Sequence, residues 1–174
     1  MGSQSQQRSG TTPAPGRVFV VGAYLPNGGT YMAYHLGRML QIDFGWDAIA
    51  VTVDRERKED SVKEYDVVFP TITLDAMEEA ITEHDILIAN PSFSSRWFGP
   101  RLPGRKLMYI QHFNTFTLLD AYFDHYVCVS DVVSRFVSTV YGLSAPTISP
   151  FIKLERRPYA PAWRDRPAGS ILIL

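Results

Sequence analysis

Runs of apolar residues alternate along the chain with stretches of helical period, and this alternation predicts most of the elements. Val18-Phe19-Val20-Val21 is unbroken, β-branched and aromatic, as in a strand buried on both faces of a parallel sheet. It is expected to be the first and central strand. Gly22 and the turn Pro26-Asn27-Gly28-Gly29 follow. Met32, Leu36, Met39 and Leu40 then recur at the spacing of one helical face, with Gly45 as the stop. Residues 48–53 read as the second strand, and Val67-Val68-Phe69, closed by Pro70, as a short third. Asp75 and Glu78 form a cap-like pair for a helix over 76–81.

The later runs end abruptly in polar residues. Asp85-Ile86-Leu87-Ile88-Ala89 ends at Asn90-Pro91, Leu107-Met108-Tyr109-Ile110 at Gln111-His112, and Tyr126-Val127-Cys128-Val129 at Ser130-Asp131. Ser130 or Asp131 is placed to cap a helix whose core face is Val133, Phe136, Val137 and Val140, with Gly142 as its stop. A final strand is expected around Thr147-Ile148. Strands and helices alternating at this length predict an α/β fold with a doubly wound, Rossmann-like parallel sheet and right-handed crossovers. Ligands of such sheets lie outside the carboxyl ends of the strands, so Gly28, Asn90, His112 and Ser130 are predicted to share one edge.

The Gly28-Gly29 turn has the chemistry of an anion site. Adjacent glycines let a ligand approach the backbone, and the N–H groups of the new helix face that space. No Gly-Lys-Ser/Thr follows and the order is not G-x-G-x-x-G, so a plain tight turn remains the competing reading.

Length and charge narrow the classes. A chain of 174 residues suits one domain with a proper core, and a formal charge of −1 offers no basic field for nucleic acid, which is not expected as a partner. The single Cys128 lies in an apolar run and is expected to be buried and inert. No apolar run approaches the ~20 residues of a membrane span and no signal peptide opens the chain, so a cytoplasmic protein is expected. Residues 1–16 are polar and rich in Gly and Pro, and read as a disordered leader before a domain over 17–152. Residues 153–169, rich in Pro and charge, read as a linker. Ile171-Leu172-Ile173-Leu174 makes 170–174 look like the first strand of a truncated second domain, the alternative being a last strand of this same sheet.

Gly28-Gly29-Thr30, Tyr109-Ile110-Gln111-His112, Tyr126 to Asp131, Tyr141-Gly142, Ser149-Pro150-Phe151-Ile152 and the closing aliphatic run occur in an order that resembles the N-terminal half of a GT-B glycosyltransferase of the retaining, family 4 type. The resemblance covers roughly Arg17 to Leu174. It implies an acceptor-side domain that helps move a sugar from a nucleotide-sugar donor to a glycan or glycolipid acceptor with retention. Gly28, Gly29 and Thr30 would approach the donor diphosphate, and His112 would lie near the transferred sugar as the catalytic candidate. Asn90, Ser92 and Ser130 would line the cleft. The resemblance also implies no cofactor and no bound metal, and the sequence has no clustered His and carboxylate ligands. With half the cleft absent, these 174 residues alone are expected to be inactive.

The segment Pro91 to Arg101 reads as a long loop whose Arg96, Trp97 and Phe98 contact the acceptor or rest on a membrane surface as a peripheral contact, against the plainer reading that its aromatics pack onto the domain. The runner-up function is a stand-alone nucleotide- or sugar-binding Rossmann-like module without catalysis. An NAD-type oxidoreductase has an acid in Asp54 but lacks the glycine pattern. A hydrolase lacks paired carboxylates at strand ends.

Overall fold

The computed structural model describes residues 16–22, 28–52, 70–113 and 116–149. The expected leader (Gly16 apart), the turn residues Pro26 and Asn27, Asp54, the strand at 67–69, the linker and the strand at 170–174 lie outside them.

β1 (Arg17–Gly22) is central, as its doubly apolar sequence requires: β2 (Asp47–Thr52) pairs on one side and β4 (Ile86–Ala89) on the other. With β3 (Thr71–Thr73), β5 (Arg105–Ile110) and β6 (His125–Cys128), the order is β3-β2-β1-β4-β5-β6 and every pairing is parallel. Alternate residues of β1 feed two cores. Val18 and Val20 face helix α1 (Gly28–Phe44), while Phe19 and Val21 join the core beneath α2 (Leu74–Ala80) and α4 (Asp131–Tyr141). Helices therefore flank both faces of a Rossmann-like sheet.

Several elements depart from the pattern in the sequence. The described third strand is Thr71–Thr73, beyond Pro70, whose carbonyl accepts from Ala50 N at 2.8 Å. α2 starts at Leu74 and its cap is Thr73, whose Oγ1 accepts from Ala76 N at 3.3 Å; Asp75 sits in the first turn instead. The face of α1 that is buried is Ala33, Tyr34 and Leu40, with Met32, Leu36 and Met39 half-buried. Of the predicted stripe, Leu40 is buried and Met32 and Leu36 pack against the same core; Ala33 and Tyr34 join it beside the stripe, and a Cβ on Gly22 would stand 2.6 Å from the Tyr34 hydroxyl. In α4, Val133 and Val137 are buried and Phe136 packs against the same core, but Val140, expected on that face, is 56% exposed. The expected last strand is a single parallel bridge, Cys128 to Thr147.

The expected long loop at 91–101 is instead helical. Asn90 caps a 3-10 helix (Pro91–Arg96), with Pro91 pre-set for its first turn, and a one-turn α3 (Phe98–Arg101) follows.

Candidate functional site

Because all strands run the same way, their carboxyl ends form one edge. Gly22 is level with Thr52, and Thr52 with Thr73. On the other side Val20 is level with Ile88 and Ala89 with Met108, so the chain leaves β4 and β5 at the same rim. The chain first moves from β1 outward to β2 and β3, then returns to β4. This reversal makes the end of β1 the topological switch point, the position where open α/β sheets receive ligands.

Gly28, Gly29 and Thr30 begin α1 at that switch point. The opening N–H groups of a helix have no intrahelical acceptor and carry its positive end, which favours an anion. Gln111, just past β5, donates its side-chain N–H to the Gly29 carbonyl at 3.0 Å. It also meets Tyr109, whose hydroxyl pKa is pushed up by burial and pulled back by a hydrogen bond with Gln111. The sequence reading singled out His112 and passed over this neighbour. The available signal was a polar residue directly at the end of an apolar strand, two positions after a tyrosine on the same face.

The structure assigns different surroundings to the remaining candidates. Asn90 Oδ1 accepts from Ser92 N at 2.9 Å, and Ser130 Oγ accepts from Val133 N at 3.4 Å, so both side chains act as helix caps at the rim. Ser92 and His112 are exposed. Trp97 is 43% exposed and takes the left-handed conformation, φ 54°, between the 3-10 helix and α3. Arg96 is exposed, and its carbonyl accepts from Arg101 Nη1 at 2.8 Å while Arg101 Nη2 reaches Glu78 at 2.7 Å. Phe98 is fully buried and stacks on Phe93 with ring centroids 6.4 Å apart. It is a core residue and cannot touch an acceptor or a membrane. Of the predicted loop contacts, Arg96 and Trp97 remain at the surface.

Among the described residues no group of three or more His, Cys, Asp or Glu is placed to hold a metal ion, and no helix is long and apolar enough to cross a membrane. Cys128 is buried, which pushes its thiol pKa up to about 11. Comparisons of the chain with protein-family models, with curated proteins and with solved structures found no match.

Proposed function

We propose that the rim at β1, β4 and β5 receives the diphosphate of a nucleotide sugar, and that the chain is the acceptor-side domain of a retaining glycosyltransferase. The observation that carries this reading is the glycine-led start of α1 at the switch point between β1 and β4, held to the end of β5 by the bond from Gln111 to Gly29. Charge builds on the leaving diphosphate as the glycosidic bond breaks. Fixed N–H donors aimed at it stabilise the transition state more than the ground state. His112, exposed just past the end of β5, would hydrogen-bond the transferred sugar or orient the acceptor hydroxyl in this reading. Neither role requires a cofactor or a metal, and Arg96 and Trp97 are the surface groups available to a glycan or glycolipid acceptor.

A second reading, a nucleotide- or sugar-binding module without catalysis, is favoured by the caps at Asn90 and Ser130, which engage two of the polar side chains a reaction centre would use.

The test is transfer of radiolabelled sugar from UDP-, GDP- and ADP-sugars by the product of the full reading frame, with the anomeric configuration of the product read by NMR. A glycosyltransferase gives retained product, and His112→Ala lowers kcat by about 100-fold, the usual scale for a positioned proton-handling group, while nucleotide affinity holds. Nucleotide binding without transfer selects the binding module. Absence of both removes the rim from function.

A further inference from the structure

A concave feature lies on the α1 face of the sheet. α1 covers β1 and β2, while over β4, β5 and β6 the described residues leave a groove of about 350 Å³ on the same face. Ile88, Leu107, Tyr109 and Val127 form its floor. Met32, Leu36 and Met39 form one wall, so the stripe that the sequence marks as core-facing borders this channel. Such a volume, apolar with a few polar groups at one end, is typical of a small-molecule site.

The charge at the groove is one-sided. None of the described residues lining it is acidic, whereas Arg105 and His125 stand exposed at its end, where β5 and β6 begin. Lys106 also borders it, but its Nζ is held by the Leu102 and Gly104 carbonyls at 3.0 and 2.9 Å, so its charge is engaged elsewhere. Arg105 and Leu107 alternate along β5 on one face, and His125 is level with Leu107, which places the Arg105 guanidinium and the His125 imidazole together where β5 and β6 begin; His35 and Ser149 are further polar residues of a lining that is otherwise mostly apolar.

We infer that this groove binds a single-chain anionic amphiphile, with the alkyl chain along Leu36, Met39, Leu107 and Val127 and the carboxylate or phosphate head at Arg105 and His125. The head-group residues stand at the amino end of β5 and β6, whereas the rim assigned to the nucleotide sugar lies at the carboxyl ends of the strands.

The 174-residue chain, labelled with 13C-methyl methionine, is titrated with dodecanoate, dodecyl phosphate and the neutral dodecyl maltoside, each below its micellar concentration. Met32 and Met39 line the groove, while Met77 and Met108 are fully buried on the opposite face and serve as internal controls. The expected result is saturable movement of Met32 and Met39 alone, with both anionic probes binding more tightly than the neutral one. Arg105→Glu, at an exposed position, is expected to weaken the anionic probes by about 5-fold, the scale of an exposed ion pair, and to leave dodecyl maltoside unchanged. Equal binding of all three probes, or indifference to Arg105→Glu, overturns head-group recognition. Unmoved Met32 and Met39 signals overturn the site outright. In that case movement of the same signals on deleting residues 150–174, or on dilution, assigns the groove to the chain itself or to a second copy.

Discussion

Gln111 and Gly29 are 82 residues apart in sequence, and the side-chain amide of the first donates to the carbonyl of the second at 3.0 Å. The bond ties the end of β5 to the opening turn of α1, so it fixes the glycine-led helix start against the sheet that carries it. Gln111→Leu is expected to lower stability by about 1 kcal/mol, the net value of one such hydrogen bond. Gln111→Asn, shorter by one methylene, should fall near Leu because it cannot reach. Urea unfolding measures the cost. Nucleotide diphosphate titration should show a parallel loss of affinity, and unchanged affinity would separate the bond from the site.

At the opposite end of the sheet, Asp85 is 2% exposed and accepts bonds from the Arg17 backbone and guanidinium, Thr82 N and Thr82 Oγ1, all between 2.8 and 3.2 Å. Burial alone would raise its pKa, but these donors outweigh it and hold the carboxyl down at about 2. The folded-state value lies below that of the unfolded chain. The stability it contributes is therefore complete above the ordinary carboxylate pKa near 4 and is lost as pH falls from there to about 2, in an amount of about 2 kcal/mol. Urea midpoints taken from pH 7 down to pH 2 should show this fall, and Asp85→Asn should flatten it while lowering stability at pH 7.

The parallel order was legible in the sequence because Val18 to Val21 is apolar on both faces, a pattern that only a central strand satisfies. The common rim then followed from the topology rule. The α1 contact was legible only in part: Leu40 of the predicted stripe is buried and Met32 and Leu36 pack on the same core, but the burial of Ala33 and Tyr34 was not foreseen. Its apolar stripe at Met32, Leu36 and Met39 was plain, but which face meets β1 depends on the room above Gly22, a tertiary fact that helical period does not carry. The 3-10 helix and α3 at 91–101 were hidden for a similar reason. Their aromatics suit a surface loop or a core equally, and the burial of Phe98 against Phe93 decides between the two. At the rim, Asn90 and Ser130 were visible as strand-end polar residues. Their capping roles depend on backbone geometry one or two residues further on.

Gly22 marks the closest approach between β1 and α1. A Cβ there would lie 2.6 Å from the Tyr34 hydroxyl and 2.7 Å from Cζ, and Tyr34 is itself buried, which limits its room to yield. Gly22→Ala is thus expected to cost about 1–3 kcal/mol, as overpacking does, and to displace the helix start that carries Gly28 and Gly29. A thermal or urea midpoint measures the first effect. Phe would keep Cζ at 2.7 Å, so the relieving partner is Tyr34→Leu, which removes both the hydroxyl and Cζ: the double variant should cost less than the two single changes added together, and strict additivity would place the strain elsewhere.

Cys128 supplies a reporter for the last described edge of the sheet. It is fully buried at the end of β6, and segment 146–148 seals it: Cys128 N donates to the Pro146 carbonyl at 2.9 Å, and Ile148 N to the Cys128 carbonyl at 2.8 Å. The thiolate is the reactive form, and with the pKa raised to about 11 very little thiolate is present near neutral pH. Reaction with a disulfide reagent at pH 8 should therefore be negligible in the native protein and should require an opening of the edge. If labelling tracks global stability across a urea series, β6 opens only with the whole sheet. If labelling is faster than global unfolding allows, and Ile148→Pro, which removes the amide that donates to the Cys128 carbonyl, speeds it further without a matching change in the unfolding midpoint, then the 146–148 segment opens by itself, ahead of the sheet.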